Sequence, residues 1–169
     1  MHFDVLYHEL ARSVDIIRAL VADMTLEEAR ARPSPEAWSA LEVICHLYDE
    51  EREDFRQRLD LILHQPDAPF PPIDPQGWVA TRQYNERDLA EMVDKWTAER
   101  AQSLAWLKGL ASPNWETEHV DQYGSITAGE MLSCWAAHDN LHTRQLVELR
   151  RARLLNLTAP HDVAYTGEW

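Results

Sequence analysis

Glycine is scarce in this chain, with 5 in 169 residues, while alanine, leucine, glutamate and arginine recur, a balance that favours helices over strands. Cysteine is scarcer still. Cys45 and Cys134 each fall inside a predicted helix, and two thiols do not make a disulfide framework, so reduced thiols are expected. Positive charge is also short. The 16 Lys and Arg are dispersed among 29 Asp and Glu for a net charge of -13, a field that repels a phosphate backbone and excludes nucleic acid as an expected partner. No run approaches the roughly 20 apolar residues of a membrane helix. The start "MHFDVLYHEL" lacks the basic region and apolar run of a secretion signal. A cytoplasmic protein without membrane partners is the resulting expectation. With no internal repeat, low-complexity tract or linker, residues 1–169 read as one domain.

Four amphipathic segments are present instead. Phe3, Leu6, Leu10, Val14, Ile17 and Val21 recur at helical steps and predict a first helix over about 3–22. Thr25 with Glu28 makes a small capping box, then "RPSPEAW" breaks the pattern with two prolines. Ser39 with Glu42 opens a second helix over about 39–64, carried by Leu41, Ile44, Tyr48, Phe55, Leu59 and Ile62. "HQPDAPFPPIDPQGW" follows, whose five prolines suit neither a helix interior nor a sheet, and it reads as a long surface connection. Asn85 is the expected cap of a third helix over about 86–110, with Leu89, Met92, Val93, Trp96, Leu104, Leu107 and Leu110 on its stripe. A short extended or irregular piece, "WETEHVDQYGSI", leads to the clearest capping box, Thr127 with Glu130. That box opens a fourth helix over about 127–151, and residues 153–169 read as an irregular tail. The fold class is therefore all-α, a four-helix bundle.

The fourth helix places Met131, Cys134, Trp135, His138, His142, Gln145, Leu146 and Leu149 on one stripe. Two imidazoles on a buried face need partners, because an unsatisfied buried polar group costs about 1 to 3 kcal/mol. Histidines four apart can converge on one cation, but the pair alone leaves two readings open, satisfied core histidines or metal ligands. A third ligand would decide, since catalytic zinc-type sites take three protein ligands and keep a position open. His46 is the candidate, on the second helix beside Val43 at the border with Glu42, Asp49 and Glu53. Taken alone, it also suits an exposed histidine pairing with Glu42 or Asp49. Cys134, one turn before His138, is expected to line the pocket. His2, His8, His64, His119 and His161 are expected to be solvated. "HDNLH" is not H-E-x-x-H, which argues against a zincin-type metalloprotease.

With these motifs in order, "AWSALEVICHLYDEE", "GWVATRQYNERDL", "GSITAGEML" and "AAHDNLHTRQL", nearly the whole chain resembles the DinB/YfiT-like superfamily of metal-binding four-helix bundles. The resemblance implies a metal triad of His46, His138 and His142, with Zn²⁺ or Ni²⁺ as the cofactor, and Gln145 orienting a ligand or bound water. It also implies a thiol-dependent S-transferase using a low-molecular-weight thiol, or else a metal-dependent hydrolase or a non-catalytic metal-binding module. An anionic thiol would want positive groups, for which Arg82, Arg87, Arg100 and Arg144 are candidates. Arg100 stands nearest the helix-three stripe, although a surface ion pair is the competing reading. Asp49, Glu50 and Asp139 are candidate general bases. Seven tryptophans exceed what one core readily absorbs and point to a homodimer, with Trp169 either over the pocket or on a partner. A small-molecule substrate completes the expectation.

Overall fold

A computed structural model describes all residues, Met1–Trp169. Four long helical segments form the bundle: α1 (Phe3–Val21), α3 (Ala40–Glu50) continuing through a π-helical turn at Glu51–Phe55 into α4 (Arg56–His64), α6 (Leu89–Gly109) and α7 (Ala128–Thr158). Short helices α2 (Leu26–Arg30) and α5 (Pro75–Thr81) lie in the connections. A hairpin of β1 (Glu118–Asp121) and β2 (Gly124–Thr127) precedes α7, with Glu118 opposite Thr127 and Asp121 opposite Gly124. Gly124 has φ 138°, a conformation that needs glycine. No helix is long and apolar enough to cross a membrane.

All three capping boxes form. Thr25, Ser39 and Thr127 each accept the backbone N–H of the glutamate three residues on, whose carboxylate returns to the cap N–H. The third helix begins later than expected. Asp88 caps it by accepting from Glu91 N, because Asn85 is engaged elsewhere: its amide donates to the Arg30 carbonyl and its Oδ1 accepts from Ser39. The proline-rich connection gains α5, whose first position takes Pro75 without losing a hydrogen bond and whose cap is Asp74. Helix α7 runs to Thr158 rather than stopping near 151. Its last turns are held from outside, by Arg150 on Asp23 at 2.6 Å and Arg153 on Glu28 at 2.6 Å.

The core has two apolar layers. One gathers Ile17, Leu41, Ile44, Leu47, Trp96 and Leu146, and the other Leu10, Leu59, Ile62, Leu107, Leu132 and Trp135. Between them in chain order, Ser13 from α1, Glu51 from the π turn, Arg100 from α6 and Asp139 from α7 meet in one buried polar cluster. Six of the seven tryptophans are buried or half-buried, so the bundle absorbs most of the excess that had suggested an interface. Trp169, the exposed one, donates to Glu148 at 2.8 Å and lies under Arg151 on the outer side of α7.

Candidate metal centre

Helix α3 is buried on nearly every side, with ten of its eleven residues inside. His46 is 5% exposed, which overturns the picture of an exposed histidine paired to Glu42 or Asp49. Glu42 is instead bound by Arg32. Helix α7 brings His142, 4% exposed, and the half-buried His138 to the same point. The Nε2 atoms converge: His138 lies 3.1 Å from His46 and 3.0 Å from His142. One ligand atom from each of the three residues lies within 4.8 Å of the others, and no carboxylate or thiol joins the group.

The tautomers show what such a cluster can hold. His142 Nδ1 is 2.8 Å from Gln145 Oε1, an acceptor, so Nδ1 carries the proton and Nε2 presents a lone pair inward. His138 Nε2 faces two such nitrogens and can supply at most one proton between them. A cation satisfies all three at once. Ligands about 2.0 to 2.1 Å from a tetrahedral Zn²⁺ stand roughly 3.3 Å apart, close to the separations seen here. The residues therefore fit a divalent ion, with coordination left for a non-protein ligand. Aromatic rings close the surroundings: Trp38 lies 4.8 Å from His46 and is parallel to His142 at 6.4 Å, and Phe55 lies 4.9 Å from His138.

A family model described as the DinB superfamily matches residues 9–146. The chain belongs to the DinB superfamily. Among solved structures, YfiT from Bacillus subtilis, described as a candidate metal-dependent hydrolase with an unusual four-helix bundle topology, superposes with a TM-score of 0.78 at 20% identity, over 88% of this chain and 86% of that one. A mycothiol-dependent maleylpyruvate isomerase mutant superposes with a TM-score of 0.69 at 10% identity, over 86% of this chain and 61% of that one. No curated protein matches the sequence. At these identities the structural likeness shows the fold.

Within this DinB fold, the remaining residues singled out from the sequence divide sharply. Gln145 reaches the site through His142. Cys134 does not line it: the side chain is exposed, because α7 turns its neighbours Leu132 and Trp135 inward instead. Asp49 is buried among Arg52 at 2.8 Å, Arg82 at 2.7 Å and the Tyr84 hydroxyl at 2.5 Å, and is no free base. Arg100 is neither a surface residue nor a group available to an anionic ligand. It is 1% exposed and fully engaged by Glu51, Asp139, Ser13 and the Leu10 carbonyl. Asp139 is thereby committed as well. Arg82 is tied to Asp49 and Glu53, Arg87 to the Arg82 carbonyl, and Arg144 is exposed. Among the histidines expected in solvent, His119 is buried, stacked 3.8 Å from Phe70 with Nδ1 on the Pro66 carbonyl; it pins the hairpin to the proline-rich connection.

The role of Glu51 escaped the sequence pattern, because "DEERED" reads as a solvated charge run. The π turn at Glu51–Phe55 inserts an extra residue into the helical phase, so Glu50, Glu51, Asp54 and Phe55 all turn inward. A break in the apolar repeat between Tyr48 and Phe55 is the signal that was available.

Gln145→Leu, which leaves the His142 tautomer unfixed, is expected to weaken Zn²⁺ binding about 10- to 100-fold. Competition against a chelator checks this, and unchanged affinity would remove Gln145 from the site.

Burial, with repulsion between neighbouring imidazoles, lowers the His46 pKa to about 2 and the His138 pKa to about 3; burial lowers His142 as well. Burial, then the Asp54 carboxyl, pushes Glu50 up to about 8. Below about pH 6.5 the unfolded chain takes up protons that the folded imidazoles refuse. Stability therefore falls as the pH drops from there towards about 3, by up to about 1.4 kcal/mol per unit for each group. Glu50 has the opposite sign, since the folded state keeps a proton the unfolded state has released between about 4.5 and 8. The metal-free protein is expected to be most stable near pH 6.5, about where these windows meet. Denaturation from pH 5 to 8 tests it, and a monotonic rise through pH 8 would contradict it.

Proposed function

We propose that this DinB protein is a divalent-metal-dependent enzyme that acts on a small molecule as a thiol-dependent S-transferase, with His46, His138 and His142 holding Zn²⁺ or Ni²⁺. The observation that carries the reading is the three-nitrogen cluster with no fourth protein ligand. The ion would supply Lewis-acid chemistry, lowering the pKa of a thiol or a water brought to its open position. The chain's own residues favour the thiol. Asp49 and Asp139 are locked in ion pairs, and Glu50 faces the Nδ1 side of His46, away from the converging Nε2 atoms, so no free carboxylate stands ready to take a proton from water. A thiol is far more acidic than water and needs less help. Trp38 and Phe55 provide an apolar, water-excluding wall for an uncharged electrophile.

Hydrolysis is the second reading, favoured by the description of YfiT. Elemental analysis followed by turnover assays separates the two. The proposal expects stoichiometric metal and transfer of a low-molecular-weight thiol to an aryl halide, with the rate lost in His138→Ala. Ester hydrolysis without thiol transfer would favour the second reading, and bound metal with neither activity would favour a binding module. A cytoplasmic location and a homodimer belong to the same proposal. Exposed Leu154 and Leu157, neighbours on one face of α7, support self-association, which sedimentation equilibrium tests.

A further inference from the structure

Two buried polar atoms beside the metal centre have no hydrogen-bond partner, and they face each other. His46 Nδ1 and Glu50 Oε1 are each orphaned, lie 3.9 Å apart, and belong to residues only 5% and 4% exposed. Their spacing of four places both side chains on one face of α3. The other groups around Glu50 offer little: Asp54 is a second carboxyl, and Arg58 Nε lies 2.9 Å from Asp54 Oδ1. Arg58 Nε, although unpartnered in hydrogen-bond geometry, is ion-paired with Asp54, and the unpartnered donor that faces Glu50 Oε1 is the Nδ1–H of His46, present whenever Nε2 gives its lone pair to a cation. His142 already shows the finished form of this arrangement, with Nε2 inward and Nδ1 held by Gln145 at 2.8 Å. A buried carboxyl oxygen left without a donor is costly enough to call for a specific partner.

We infer that Glu50 is the positioning residue of His46, its carboxyl oxygen accepting the Nδ1–H so that Nε2 is aimed at the metal. This rests on the metal-centre reading above. The two outer partners then differ in kind, a neutral amide on His142 and an acid on His46. As a carboxylate facing the Nδ1–H of a metal-bound ring, Glu50 is the stronger acceptor and raises the basicity of the ring it holds. Glu50 contributes no ligand atom itself, consistent with its absence from the converging cluster.

The test uses the full chain and Zn²⁺ alone. Glu50→Ala is expected to weaken Zn²⁺ binding about 10- to 100-fold, while Glu50→Gln, whose amide oxygen still accepts, binds more tightly than Glu50→Ala. Neither variant is expected to lower the metal-free melting temperature, since the bond is unmade in the metal-free protein. In ¹⁵N spectra of the Zn²⁺-loaded protein, the His46 Nδ1 resonance is expected to move between wild type and Glu50→Ala. Equal affinity in all three proteins, an affinity loss matched by a fall in metal-free stability, or an unmoved Nδ1 resonance would each overturn the assignment. Wild-type protein that binds no Zn²⁺ would overturn the metal centre together with it, whereas wild-type binding with indifferent variants overturns Glu50 alone.

Discussion

Arg100→Met is expected to destabilise the protein by about 3 to 5 kcal/mol, because it leaves Glu51 and Asp139 buried without their counter-charge. The guanidinium makes paired contacts to both carboxylates, 2.8 and 2.7 Å to Glu51 and 2.5 and 3.0 Å to Asp139. Ser13 donates to Asp139 at 2.6 Å, and Trp135 Nε1 donates to Glu51 at 3.2 Å. Burial alone would depress the Arg100 pKa, but the two carboxylates outweigh it and the pKa is raised, so the side chain stays charged in the core. Urea denaturation of the metal-free protein measures the loss. Replacing all three charges, with Arg100→Met, Glu51→Leu and Asp139→Leu together, is expected to recover most of it, since an apolar layer has no charge left to desolvate. A single-variant cost below about 1 kcal/mol would mean that water reaches the layer and the ion pairs do not hold the four helices together.

His142→Ala is expected to reduce metal affinity by more than about 100-fold, beyond the usual effect of losing an outer partner, because it removes one of three ligand atoms. Metal-dependent stability should disappear with it. For wild type, Zn²⁺ at 1,000 times its dissociation constant adds about 4 kcal/mol, and the variant at the same concentration should gain little. The metal-free variant should be no less stable than wild type at pH 5 to 6, since an imidazole whose pKa burial has lowered is no longer there to resist protonation. Chelator competition and denaturation with and without Zn²⁺ measure both halves. Retention of stoichiometric, tight binding by His142→Ala would sink the three-histidine centre. A large metal-free destabilisation would show instead that the histidines are packing residues first.

The four helices, their three capping boxes and the His138–His142 pair were legible in the sequence because each depends on local spacing, whereas His46 joined the pair only through the family resemblance. Capping needs a hydroxyl and a glutamate three residues apart, and convergence of His138 and His142 needs a step of four on one helix. Asp88 in place of Asn85, the last turns of α7 and the burial of His119 were not legible, because distant partners decide each of them: Arg30 and Ser39, Asp23 and Glu28, Phe70 and Pro66.

Charge shows the division most clearly. Sequence alone determined that Arg100, Glu51 and Asp139 are ionisable and that His46 shares a helix face with Glu50. Only the tertiary structure decided that Arg100 pairs with both Glu51 and Asp139 in a buried layer while Glu50 sits beside His46. An ion's role depends on which opposite charge the fold brings within about 3 Å once water is excluded, and that partner lies on another helix.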